Sequence, residues 1–72
     1  VAESVYKVIE LVGTSSEGWE QAVSAAVARA SQSVRDLRIA EVSELDVQIE
    51  NGSVMAYRAK IKVSFKYEGE SG

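Results

Sequence analysis

The chain begins with an alternating segment. Residues 5–12 read Val-Tyr-Lys-Val-Ile-Glu-Leu-Val, β-branched and aromatic positions broken by Lys7 and Glu10. That pattern predicts a strand, with Gly13 ending it. Thr14-Ser-Ser-Glu17 follows, the spacing of a capping box in which Thr14 takes the N3 amide and Glu17 reaches back; Ser15 or Ser16 are alternative caps. Trp19, Ala22, Val23, Ala26, Val27, Ala30 and Val34 then recur at steps of three and four, a single apolar stripe on a helix running to about Val34. The stripe is mostly Ala and Val, so the helix can sit close to what it covers. Glu17, Gln21, Ser24, Arg29 and Gln32 lie opposite and read as solvated.

Residues 37–50 and 54–68 read as two further strands around Asn51-Gly52, the dipeptide that best suits a type I′ hairpin turn. In a regular two-residue hairpin, Leu45 would face Arg58, Ser43 Lys60, Glu41 Lys62 and Ile39 Ser64. On the other side Ala40 would face Val63, Val42 Ile61, Glu44 Ala59 and Asp46 Tyr57. The last strand alternates cleanly. Met55, Tyr57, Ala59, Ile61, Val63, Phe65 and Tyr67 point one way; Arg58, Lys60, Lys62, Ser64 and Lys66 point the other. The apolar side must carry the helix, and the polar tail 69–72 is expected to fray.

The order strand, helix, strand, strand predicts an α+β fold: a β-α-β-β unit whose three-stranded antiparallel sheet, in order 2-3-1, wraps around one helix. One domain spans residues 1–72, its ordered core about 4–68. A helix rises about 1.5 Å per residue against 3.3 Å in a strand. One helix therefore cannot cover the hairpin, and Leu45, Val47, Ile49 and Met55 at its far end are expected to stay exposed until partner subunits cover them.

Composition narrows the chemistry. At 72 residues a single core is marginal. Without cysteine there is no disulfide or thiolate site, and without His the commonest metal ligand and general base are missing. Oligomerisation is the remaining staple. No nucleophile–base set can be assembled, so the chain reads as non-enzymatic. Eight basic against eleven acidic residues, a net −3, argue against nucleic-acid binding. No apolar run reaches membrane-spanning length and no signal peptide is read, so the cytoplasm is the expected compartment.

Any metal site must use oxygen ligands, which suit calcium or magnesium. Glu44 and Asp46 are the candidates, because the regular register puts them on the apolar side of the sheet, beyond the helix. The competing reading is surface charge or cross-strand pairing. Trp19, the lone Trp, reads as core rather than as a stacking platform. Arg58, Lys60, Lys62 and Lys66 form a row that either pairs with acids or meets an anionic ligand.

The run Val5-Tyr-Lys-Val-Ile-Glu-Leu-Val-Gly-Thr-Ser-Ser-Glu-Gly-Trp-Glu-Gln-Ala22, the Ala-rich helix, and the hairpin ending Ala56-Tyr-Arg-Ala-Lys-Ile-Lys-Val-Ser-Phe-Lys-Tyr-Glu68 resemble the dodecin family over about residues 4–68. The resemblance implies a hollow, spherical homododecamer acting in binding or storage. It also implies, for the best-known members, flavin (riboflavin or FMN) stacked at two-fold axes by a Trp in the second strand and held by a Gln in the third. Ile39 and Arg58 stand at those positions here, and Asp46-Val47 replaces an Arg-Gly. An aliphatic side chain cannot stack on a ring. With Trp19-Glu20-Gln21, the pattern resembles the calcium-binding, non-flavin branch. A flavin-sequestering protein with an altered site and a ligand-free structural assembly are the alternatives.

Overall fold

The computed structural model describes residues 3–66. Four elements follow in chain order: β1 (Tyr6–Ser15), α1 (Trp19–Ser33), β2 (Leu37–Glu50) and β3 (Ser53–Lys66). The sheet is antiparallel in the order β1-β3-β2, with β3 central. This is the predicted α+β arrangement. Tyr67, Glu68 and the tail fall outside the described residues.

Gly13 does not end β1. It pairs with Ala59 inside the sheet and is buried, and the strand continues to Ser15. The reason is steric: a Cβ at Gly13 would overlap the backbone oxygen of Ala22 and press on Ala26 Cβ, so glycine lets the helix lie against the strand. The predicted capping box is therefore absent. Thr14 still belongs to the strand, opposite Arg58. Gly18 is the N-cap, without a side-chain cap; its carbonyl takes the Ala22 N–H at 3.1 Å. Ser15 Oγ instead accepts the Glu17 N–H at 2.9 Å and shapes the turn.

The helix ends as its stripe does. The Val34 N–H closes the last turn on the Ala30 carbonyl at 3.0 Å. Asp36 then turns the chain into β2 with φ 59°, a left-handed conformation that Asp tolerates better than most side chains. Ala22, Ala26 and Ala30 are buried against Ala59, Ile61 and Val63. Ile9, Leu11, Val23, Val27 and Leu37 pack around them. Small residues on α1 facing β3 give a thin core in which helix and sheet lie close.

Asn51 and Gly52 adopt φ 52° and 78°, as a type I′ turn demands. The predicted register holds for Ile39↔Ser64 through Val42↔Ile61, and is shifted by one residue from Glu44 to Gln48. Three irregularities account for this: Arg38 and Ser43 are extra residues on β2, and Met55 is extra on β3. Glu44 thus pairs with Lys60, Leu45 with Ala59, Asp46 with Arg58 and Val47 with Tyr57.

The described fold is long and thin, 55 × 20 × 15 Å with a radius of gyration of 15.1 Å. A compact chain of this length would have about 11 Å. The helix packs over β1 and β3 and hardly touches β2. Leu45, Ile49, Val54 and Met55 are exposed at the far end of the hairpin, while Val47 is half-buried. On the sheet face away from the helix, Tyr6, Val8 and Val12 of β1 are also exposed.

Candidate functional site

The chemistry of the described residues gathers on the sheet face turned away from α1. Because β3 is central, its outward side chains form a basic spine: Arg58, Lys60, Lys62 and Lys66. Acids flank the spine on both neighbours. Glu10 of β1 and Glu41 of β2 lie opposite Lys62, Glu44 lies opposite Lys60, and Asp46 opposite Arg58.

The bulge at Ser43 decides which face Glu44 and Asp46 occupy. With the predicted register they would point to the helix side. The extra residue reverses the alternation, so both join the basic spine and Leu45 and Val47 turn to the helix side. Ser43 Oγ donates to the Lys60 carbonyl across the strands at 3.1 Å. A signal for this was present in the sequence. The apolar phase of β2 runs on even positions at Ala40 and Val42, then on odd positions at Leu45, Val47 and Ile49.

Asp46 and Arg58 close a two-pronged ion pair: Nε donates to Oδ1 at 2.8 Å and Nη2 to Oδ2 at 3.0 Å. That hydrogen-bonded pairing, aided by the positive charges of Arg58 and Lys60, holds the Asp46 carboxyl below its ordinary value and raises the Arg58 guanidinium. About half of each side chain remains solvent-exposed. Lys60 and Glu44 make a looser contact at 3.8 Å. Glu41 and Lys62 face each other in the register without an ion pair within contact distance among those described.

Trp19 is not a core residue, contrary to expectation; it is 39% exposed. Its ring meets Tyr57 edge-on, with centroids 5.1 Å apart at 79°. Its Nε1–H donates to the Asp46 backbone carbonyl at 3.0 Å. The start of the helix is thereby fastened to the residue whose side chain grips Arg58. Nothing in the helical period announces this contact, which spans 27 positions of sequence.

Ile39 and Arg58 share the outer face, as expected, but the chain does not bring them together. Ile39 lies opposite Ser64, six residues along β3 from Arg58, or about 20 Å at strand rise. Ile39 lines a separate cleft of about 170 Å³ with Val27, Leu37, Arg38, Ala40 and Val63. Among the described residues no three His, Cys, Asp or Glu side chains gather closely enough to hold a metal ion. No helix among them is long and apolar enough to cross a membrane.

Comparison with known proteins agrees with this architecture. The family model described as Dodecin matches residues 5–68. The calcium dodecin of Mycobacterium tuberculosis is 51% identical over 63 residues, covering 88% of this chain and 89% of that protein. The dodecin of Thermus thermophilus is 45% identical over 64 residues, covering 89% and 93%. Among solved structures, the Streptomyces coelicolor dodecin superposes with a TM-score of 0.90 at 41% identity, over 97% of this chain and all of that one. The M. tuberculosis calcium dodecin gives 0.81 at 47% identity, over 96% and 99%. With the β-α-β-β order, the 2-3-1 sheet and a family match over nearly the whole chain, this protein belongs to the dodecin family.

Proposed function

We propose that this chain is a non-enzymatic ion- or small-ligand-binding protein of the cytoplasm that assembles as a hollow homododecamer and binds calcium rather than a stacked flavin. One observation carries the choice against flavin: Arg58 is locked in a two-pronged pair with Asp46, where flavin-binding members of the family are expected to present a Gln to the ring edge. With Ile39 in place of the stacking Trp, neither half of that site offers its usual chemistry. Support for calcium comes from the M. tuberculosis relative, described as calcium-chelating with a calcium-binding site.

A single chain falls short of such a site. Calcium takes six to eight oxygens, and both Asp46 oxygens face the Arg58 guanidinium. Glu44, 3.8 Å from Lys60, is the freer carboxylate. In this reading Glu44 and Asp46 contribute only where symmetry brings copies together, with backbone carbonyls and water completing the shell. The assembly itself rests on the exposed apolar residues of the hairpin end and of β1.

The test has four arms. Native mass measurement should find a particle near twelve times the 7.8 kDa chain; a stable monomer or dimer at micromolar concentration removes the assembly. Calorimetric titration of that particle with calcium should give heat above a magnesium control, and its absence removes calcium. Asp46→Asn and Glu44→Gln should weaken the binding; unchanged binding in both leaves calcium standing but removes these ligands. Added riboflavin should keep its fluorescence, and strong quenching would favour the flavin reading.

A further inference from the structure

We infer that Asn51 is a site of spontaneous deamidation, a covalent modification that adds a carboxylate at the hairpin tip. Asn51 is the only Asn in the chain, and glycine follows it. Both residues are exposed, and a Cβ placed on Gly52 would meet nothing within 4 Å. Glycine carries no side chain to hinder its own nitrogen, and the space beside the Gly52 Cα is open.

The chemistry needs only water. The Gly52 backbone nitrogen attacks Asn51 Cγ, a C–N bond forms, and the side-chain amide leaves as ammonia carrying the displaced proton. The resulting five-membered imide takes up water at either carbonyl. Opening at one restores the main chain with Asp at 51; opening at the other routes the main chain through the side-chain carbon as isoaspartate.

The fold leaves the nucleophile available. The terminal ladder pair is Glu50↔Ser53, so the cross-strand bonds that close the turn belong to those two residues and not to Gly52. For the ring to close, Asn51 must rotate out of its turn conformation, which requires the tip to open. Only two pairs, Glu50↔Ser53 and Ile49↔Val54, lie between the turn and the irregularity at Met55. In a single chain such a short paired end opens far more readily than the core, and subunit packing on Ile49 and Met55 in the proposed assembly would slow that opening without closing it off. The ladder beyond Met55 confines the opening to the tip.

Two consequences follow. Either product moves the chain one unit more negative than its present −3, next to Glu50. Isoaspartate also lengthens the main chain by one carbon, which a two-residue type I′ turn cannot absorb without loosening its register.

The experiment incubates the full chain at 37 °C and mildly alkaline pH beside a synthetic peptide spanning residues 49–55. Intact mass is followed for a gain of one mass unit, and peptide mapping with an isoaspartyl methyltransferase locates it. The expected result is conversion at residue 51 on the time scale of days to weeks, slower than in the peptide, with the Asp fraction co-eluting with Asn51→Asp on anion exchange. A chain still unmodified after several half-lives of the peptide overturns the proposal, as does a gain that maps to a glutamine. Asn51→Gln should remain unmodified, and that variant is checked for an unchanged circular dichroism spectrum.

Discussion

The Trp19 indole donates its Nε1–H to the backbone carbonyl of Asp46 at 3.0 Å, while the Asp46 carboxylate holds Arg58 on the outer face of the sheet. One residue of β2 thus links the start of the helix to the basic spine. Trp19→Phe keeps a ring against Tyr57 but loses the hydrogen bond together with part of the indole's packing area. It should cost about 0.5–1.5 kcal/mol, read by urea unfolding at fixed chain concentration. Trp19→Ala should cost more, because the edge-on contact with Tyr57 goes too. Equal stability of Trp19→Phe and the parent chain would count against the link.

The Asp46–Arg58 pair should be visible in a carboxyl titration followed by NMR. Asp46 titrates lower folded than unfolded, so its contribution is complete above the ordinary value near 3.8 and is lost as pH falls through the lower folded value. The pair is therefore indifferent to pH from neutrality down to the ordinary carboxylate range and opens only in acid. In Arg58→Gln the Asp46 titration should move up toward that ordinary value, since hydrogen bonding to Arg58 is its main cause. A titration that does not move would mean the pair does not persist in solution.

Gly13 and Asp36 make opposite predictions. At Gly13→Ala the new methyl overlaps the Ala22 carbonyl oxygen and crowds Ala26, both belonging to a buried helix face, so the helix must lift from β1. The expected loss is about 1–3 kcal/mol or more. Asp36 sits at φ 59°, where glycine pays no steric cost. Asp36→Gly should be neutral or stabilising by up to about 1 kcal/mol. Thermal melts of the two variants against the parent would check both signs together.

The exposed end of the hairpin gives a test of assembly that does not depend on any ligand. Ile49 and Met55 are 61% and 49% exposed in the isolated chain. Ile49→Asp or Met55→Lys should lower the particle mass in light scattering while leaving the circular dichroism spectrum of the fold in place. If both variants keep the full particle, the hairpin end is not part of the subunit contacts.

Much of this architecture was legible from local pattern. The helix stripe from Trp19 to Val34, the alternation of β3 and the Asn51-Gly52 turn each follow from periodicities of one element, and the sheet order followed from connecting them. These signals are local because side-chain direction repeats every two residues in a strand and every 3.6 in a helix. What they could not supply was decided by long-range packing. Gly13 looked like a strand end, and only the helix lying on it explains why the strand runs on to Ser15. Trp19 looked like core, and only the docking of α1 beside the hairpin shows it bonded to Asp46. The positions of Glu44 and Asp46 depended on a single extra residue at Ser43, because one inserted residue turns every later side chain to the opposite face. The phase change between Val42 and Leu45 carried that information, but the partner strand decides where the bulge is placed. The sequence by itself determined the elements, their order and the basic row of β3; the tertiary structure decided which acids join that row, because the bulge at Ser43 carries Glu44 and Asp46 onto its face.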